Sequence, residues 1–286
     1  MVDRSYRWLR VASAGFLIAA LAGCAGTATG VNADGPVPGP PTTPAGSEVA
    51  ASVRLLQMNL CNSGIAACYA GGRSIDEAAA VIRSETPDLV TLNEVCEGDV
   101  SALEGVLAGA VPGAEVASAF QAARDRDTGD AYRCRNGQPF GNGIVSRWPS
   151  VPGSPAGSGI YPVQDPEDPE ERAWVCMEVA ATPAVGVCTT HLAYTDRDVT
   201  MGQCRYLFGT VVAGMRAPLV LGGDLNLGSD DGADLRSCLP SDSVSADDGD
   251  VQVVAATPEF VVADSRTIDL RGASDHPGLL VTLAPR

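Results

Sequence analysis

The chain has 286 residues, of which 19 are basic, every one an arginine, and 35 acidic, for a formal charge of −16. Such a surface repels nucleic acid at long range, so a polyanionic substrate must be held through a bound cation or a local arginine cluster. Nine cysteines, with no Cys-x-x-Cys pair and no histidine beside a cysteine, speak against structural zinc.

Arg4, Arg7 and Arg10 precede an apolar run from Val11 to Leu21 that closes on Leu21-Ala22-Gly23-Cys24. This is the pattern of a secretory signal, too short to span a bilayer as a helix. The cysteine after Leu-Ala-Gly resembles a bacterial lipobox, so residues 1–23 are expected to be removed and Cys24 to carry the lipid. The product is expected to be exported and held at the cell surface. Residues 24–51 are rich in Gly, Pro and Thr and too poor in large apolar side chains to offset the entropy of ordering, so they read as a tether. Residues 52–286 are long enough for one core. The eight cysteines left after Cys24 are an even number in an exported chain, which favours disulfides.

From Val53 an alternating strand, Val-Arg-Leu-Leu-Gln-Met-Asn-Leu, ends at Asn59. Ser74 to Ser84 has helical spacing with Ser74 placed to cap it, and Pro87 stops it. Asp88-Leu-Val-Thr-Leu-Asn-Glu94-Val reads as a second buried strand with an acid at its end, followed by a helix from about Val100 to Ala110. Residues 121–139 and 150–170 read as surface loops around a strand at Phe140-Gly-Asn142-Gly-Ile-Val-Ser-Arg147. Ala173–Val179 and Ala184–Thr190 form a hairpin about Thr182-Pro183 that ends at His191. A helix is expected from Val199 to Met215. It precedes Val220-Leu-Gly-Gly-Asp224-Leu-Asn226-Leu, where the glycine pair is expected to turn the backbone sharply at the end of a strand. A polar loop from Gly228 to Asp250, a strand Glu259–Ala263, and Ser274-Asp275-His276-Pro before a last strand complete the chain. Strands and helices in this order predict a two-layer α/β or α+β protein with helices outside.

The cysteine spacing predicts four disulfides. Cys176 and Cys188 are equidistant from Thr182, hence opposite each other in the hairpin, and Cys61 and Cys68 bound one short loop. Cys96 with Cys134 and Cys204 with Cys238 are the nearest partners among the rest.

The only two histidines, His191 and His276, each stand at a strand end beside polar residues. With Asn59, Glu94, Asn142, Asp224, Asn226 and Asp275 they form a set without an activated serine or cysteine. That favours an activated water and a hard cation, for which Glu94 and Asp275 are suitable oxygen ligands. Gln57-Met-Asn59, Leu92-Asn-Glu94-Val, the Gly141-Asn142 strand, Thr190-His191-Leu, Gly223-Asp224-Leu-Asn226 and Ser274-Asp275-His276 resemble, in order, the motifs of the endonuclease/exonuclease/phosphatase superfamily, the fold of pancreatic deoxyribonuclease.

The resemblance covers the chain from about Val53 to its end. It implies a four-layer sandwich of two packed mixed sheets flanked by helices. The chain is expected to act as a monomer. Carried over, Glu94 would hold Mg²⁺ (or Mn²⁺ or Ca²⁺) with Asn59 close by and Asp275 at the metal or water. Asp224 and Asn226 would orient water and phosphate, and Asn142 would bind a phosphate oxygen. His276 would act as general base or transition-state donor, and His191 would protonate or stabilise the leaving oxygen. The acid that orients the last histidine in the family has two candidates here, Glu259 and Asp269. The acid that nuclease members set beside the earlier histidine is not placed by any motif of the sequence. The expected substrate is a phosphodiester, foremost nucleic acid for an extracellular nuclease. A lipid head group is the alternative, as in the sphingomyelinase branch, and a surface binding protein that lost catalysis is the reading from another class.

Overall fold

The alternating run that begins at Val53 forms β1 (Val53–Asn59), which is buried at every position but Arg54. Burial on both faces means that the strand is covered from both sides, the mark of an inner layer. The computed structural model describes residues 52–154, 157–215, 218–228 and 232–286; the expectations of a signal over 1–23, a lipid on Cys24 and a tether over 24–51 lie outside the described residues.

A crossover through α1 (Arg73–Glu85) brings β2 (Leu89–Cys96) alongside β1 in parallel, with Leu55 beside Leu89 and Asn59 beside Asn93. Ser74 does not cap α1: Gly72, at φ +85°, takes the cap position, and Ser74 lies buried inside the first turn. Thr86 ends the helix just before Pro87, as the proline requires. Next come α2 (Glu97–Ala110), which starts three residues earlier than expected, and β3 (Ala117–Ala122). The short β4 (Arg124–Asp125) and β5 (Phe140–Ser146) follow. The Asp99 carboxylate accepts the Cys96 N–H at 2.8 Å and so fixes the start of α2.

The second half begins with β6 (Gly157–Ile160), the short β7 (Glu170–Glu171), β8 (Ala173–Val179) and β9 (Val185–His191). The helix α3 (Arg197–Tyr206) continues through a π turn at Leu207–Val211 and a 3-10 turn at Val212–Gly214. Then come β10 (Leu219–Asp224), α4 (Gly232–Cys238), β11 (Val244–Asp247), β12 (Gln252–Ala256), β13 (Phe260–Ile268) and β14 (Gly278–Pro285). The polar stretch expected to be one loop up to Asp250 thus holds α4 and β11, and the loop expected over 150–170 holds β6.

Two six-stranded mixed sheets result, ordered β13-β14-β1-β2-β5-β3 and β11-β12-β10-β9-β8-β6. Ala78, Ile82, Leu103 and Leu107 of the first two helices cover the outer face of the first sheet over Leu56, Met58, Val90 and Leu92. Met201, Leu207 and Phe208 cover the second sheet over Cys188, Leu221 and Val253. Between the sheets Leu55, Leu89 and Ile144 meet Val175, Val187, Val220 and Val254. Each such side chain contributes roughly 1.5–3 kcal/mol by leaving water. This is the four-layer sandwich that the family resemblance implies, and its two sheets with helices outside match the order of elements read from the sequence.

All four expected disulfides are present: Cys61–Cys68, Cys96–Cys134, Cys176–Cys188 and Cys204–Cys238. Cys176 and Cys188 are directly paired across β8 and β9. The glycine pair of β10 works differently from the expectation. Both residues lie within the strand, and neither has a positive φ. A Cβ on Gly222 would stand 2.2 Å from the Thr91 hydroxyl and 2.9 Å from Leu55, so Gly222 lets the two sheets approach. The turn comes later, at Asn226, whose φ is +49°.

Candidate active site

Parallel pairing of β9 with β10 sets His191 beside Asp224, and antiparallel pairing of β10 with β12 sets Asp224 beside Gln252. Asn59 and Asn93 pair at the same edge of the first sheet. Facing strand ends therefore meet around one cleft of about 480 Å³, lined by Glu94, Arg172, His191, Asp224, Asn226, Asp275 and His276, with Ile65, Tyr132 and Tyr194 also on its wall.

Glu94 owes its position to a bulge. The register of β2 against β5 shifts between Leu92 and Val95, and Glu94 takes φ +55°, a left-handed conformation uncommon for a residue with a side chain. Strain of this kind is characteristic of residues that a site must aim. The Asn59 amide donates to Glu94 Oε1 at 2.9 Å and to Asp224 Oδ2 at 3.1 Å, holding the two carboxylates at a fixed spacing. Asp224 Oδ2 also accepts from Gln252 Nε2 at 2.8 Å, and the Asp224 N–H donates to Asn93 Oδ1 at 2.9 Å. Burial pushes the carboxyl groups of Glu94 and Asp224 upward, while the hydrogen bonds from Asn59 oppose it.

The two histidines stand on opposite flanks of this pair. His276 Nε2 is 3.8 Å from Asp224 Oδ2 and 3.9 Å from Asp275 Oδ1. His191 Nδ1 is 3.9 Å from Glu94 Oε1 and 3.0 Å from Arg172 Nη1. Burial first, then the charges of Arg172 and His276, hold the His191 imidazole well below its usual range. Asn226 lines the cleft while its amide donates to the Leu192 carbonyl at 2.9 Å.

Two expectations, Asn142 and the acid that orients His276, need correction. Asn142 does not reach the cleft: its amide nitrogen donates to the Ala173 carbonyl and its oxygen accepts from Asn93, both at 2.9 Å, so it braces the strands below. Asn59 turns its N–H groups toward the carboxylates, and its oxygen accepts the Cys61 N–H at 3.1 Å, so it sets the spacing of the two acids. Neither Glu259 nor Asp269 orients His276. Glu259 lines a separate pocket with Val53 and Pro285, and Asp269 accepts the Arg271 N–H at 2.7 Å.

Other residues enter unannounced. Gln252 begins β12, over residues for which the sequence signals no element. Arg172, Glu170 and Asp168 come from a segment so rich in Asp, Glu and Pro that it reads as solvated surface. The network of Gln57, Thr91 and Asn93 beneath the cleft falls on strand positions whose polar letters suggest solvent.

The donor set fits a hard cation. Carboxylates of Glu94, Asp224 and Asp275 open on the same cleft, and Cys61 and Cys68, whose sulfurs lie within 4.8 Å of a Glu94 oxygen, are joined in a disulfide and offer no thiolate. One or two carboxylates with water and a substrate phosphate suit Mg²⁺.

Among solved structures, the chain is similar to an endonuclease/exonuclease/phosphatase protein from Beutenbergia cavernae DSM 12333, with 24% identity and a TM-score of 0.63 over 82% of this chain and 72% of that one. It is also similar to D. rerio TDP2 complexed with a single-strand DNA product, at 15% identity and TM-score 0.55 over 81% and 98% of the two chains. A third is ANGEL2, a 2′,3′-cyclic phosphatase, in complex with adenosine-2′,3′-vanadate, at 13% identity and TM-score 0.56 over 82% and 96%. No protein sequence of curated function matches the chain. The Endonuclease/Exonuclease/phosphatase family model matches residues 61–276, from the disulfide-closed loop at the cleft to the last histidine. With that span and with the carboxylate pair flanked by two histidines, the chain belongs to the endonuclease/exonuclease/phosphatase family and is a hydrolase of phosphate esters.

Proposed function

We propose that the protein is a divalent-metal-dependent phosphodiester hydrolase, with nucleic acid as its substrate. The observation that carries this reading is the placement of His191 and His276 on either flank of the Glu94–Asn59–Asp224 bridge. Phosphoryl transfer to water needs charge neutralisation and a group on each side to handle protons and developing charge.

In this reading Glu94 and Asp275 hold Mg²⁺, which lowers the pKa of water and offsets phosphate charge when bound. Asp224, fixed by Asn59 and Gln252, orients the attacking water, and Asn226 helps to seat the phosphate. His276, partly open to the cleft, takes the proton. His191 faces the leaving oxygen. Ile65, Tyr132 and Tyr194 supply apolar and aromatic surface against which a base can stack. A solved relative of the same fold, D. rerio TDP2, carries a single-strand DNA product. A lipid head group is the second reading, favoured by Ile65 and Tyr194, which are 55% and 65% exposed and lie at this cleft. Export and lipid attachment at Cys24 are proposed from residues 1–24 of the sequence; mass spectrometry of the N-terminal peptide would detect the lipid.

The deciding experiment offers the purified protein single-stranded DNA, supercoiled DNA, sphingomyelin vesicles and bis(p-nitrophenyl) phosphate, each with Mg²⁺ and with chelator. DNA cleavage that needs Mg²⁺ is expected. Full activity of metal-free protein in chelator would exclude the mechanism, and cleavage of sphingomyelin alone would replace nucleic acid by lipid.

A further inference from the structure

Among the described residues no carboxylate lies within hydrogen-bond distance of the His191 ring. A guanidinium does, and that changes what the imidazole can do. Arg172 directly precedes β8 and is 4% exposed. Its Nη1 lies 3.0 Å from His191 Nδ1 and 3.2 Å from Glu170 Oε1, and its Nη2 lies 3.1 Å from Asp168 Oδ2. The Tyr194 ring stacks on the guanidinium, with its centroid 5.6 Å from Cζ. Carboxylates and a ring thus hold the cation in place, and the hydrogen-bond assignment follows from chemistry. Arginine has N–H donors, no acceptor, and keeps its charge at any pH a protein tolerates. A hydrogen bond between it and Nδ1 exists only if Nδ1 offers a lone pair. The imidazole proton then resides on Nε2.

We propose that Arg172 is a positioning residue for His191, whose guanidinium holds Nδ1 as an acceptor and so presents a protonated Nε2 to the phosphate in the cleft. The inference rests on the phosphodiester reading for what His191 meets, but the tautomer itself is independent of the substrate. Nε2 is not among the buried polar atoms left without a partner, and the residue lines the cleft. His191 therefore contributes a neutral N–H donor to a developing oxyanion, and the proton stays on the ring. Of the two roles that the sequence left open for it, stabilising the leaving oxygen is the one compatible with a cation on Nδ1. An Nδ1–H paired with the Glu94 carboxylate is the competing arrangement, and 3.9 Å is too long for that bond.

The test uses nitrogen-15 NMR of the full chain labelled at histidine, which shows only two imidazoles; His276→Ala assigns them. At neutral pH with Mg²⁺, the His191 signals are expected to show a bonded proton on Nε2 and a bare Nδ1 that accepts a hydrogen bond. A proton on Nδ1, alone or together with Nε2, would overturn the proposal. Arg172→Met should let the two tautomers exchange and lower kcat on bis(p-nitrophenyl) phosphate at least about tenfold with a smaller change in KM, and added guanidinium should restore part of it. If that variant unfolds, the wild-type spectrum still decides, and if it folds and keeps the Nε2–H tautomer unchanged, Arg172 does not position the ring. Inactivity of the wild type on every phosphodiester would remove the proposed function and leave the tautomer result standing.

Discussion

The space between the two sheets has two halves built by the same strands. In the lower half Leu55, Leu89 and Ile144 meet Val187, Val220 and Val254, an apolar interior. Two to four residues further along β1, β2 and β10 stand Gln57, Asn59, Thr91, Asn93 and Asp224, all buried. Here the interior is a hydrogen-bonded lattice: Gln57 Nε2 donates to Asn93 Oδ1 at 2.6 Å and to Gln252 Oε1 at 2.9 Å, and Asn93 Nδ2 donates to the Thr190 carbonyl at 2.9 Å. Apolar packing tolerates small shifts, whereas a lattice of amides permits essentially one arrangement. The lower half supplies cohesion, and the upper half fixes the spacing of Glu94 and Asp224.

Substitutions in the two halves should separate these roles. The largest effect is expected at the rim of the polar half: His276→Ala, which removes the base, or His191→Ala, which removes the N–H donor, should each reduce kcat by roughly a hundredfold or more, with the melting temperature nearly unchanged. The double variant should lose less than the product of the single losses, because the two groups serve one transition state. Losses that multiply would show histidines with no shared role. In the apolar half Leu55→Ala should destabilise by about 2–5 kcal/mol, read by urea unfolding, with turnover of the folded fraction kept. Between them lies Asn93→Ala. It leaves the Asp224 N–H and the Gln57 amide each short of an acceptor, at about 1–3 kcal/mol per unpaired group, and should reduce turnover as well. An Asn93→Ala protein that is less stable but fully active would refute the idea that the lattice spaces the carboxylates.

The same division explains what could be read from the sequence. An apolar run, alternating in β1 and continuous at the start of β2 and β10, marks a buried strand, and a polar residue that closes such a run, as in β9 too, marks a site. Asn59, Glu94, His191 and Asp224 were legible for that reason. Asn142 took its phosphate-binding role from the resemblance alone and misled, because an amide within a strand serves equally well to brace its neighbours, and nothing local distinguishes bracing from binding. Gln252 was missed because the run it opens, Val253–Ala256, follows a polar stretch without a turn signal that separates them. Arg172 was missed because its meaning lies in the ring it touches, which is 19 residues away. The tie between Arg124 and Glu171 that joins β4 to β7 and helps to fold that acidic segment over the cleft is equally nonlocal.

The smallest expected effect tests how far the polar half extends toward solvent. Glu170 is 16% exposed, and burial lifts its carboxyl to about 7, with Arg172 pulling it down and Asp168 and Glu94 pushing it up. In the unfolded chain the same group titrates near 4.5. The folded state therefore binds this proton more tightly, so the stabilisation is complete below pH 4.5 and is lost as pH rises through about 7. The slope cannot exceed one proton, about 1.4 kcal/mol per pH unit. Burial raises Glu94 and Asp224 as well, with the same sign, so the slope of the wild type alone assigns nothing. The difference between wild type and Glu170→Gln does. Melting temperatures of both in chelator, measured across pH 4.5 to 7, should converge on a shallower line for the variant. Equal slopes would mean that Glu170 is already ionised against Arg172 throughout that range, and the acidic segment would then belong electrostatically to the solvent rather than to the buried lattice.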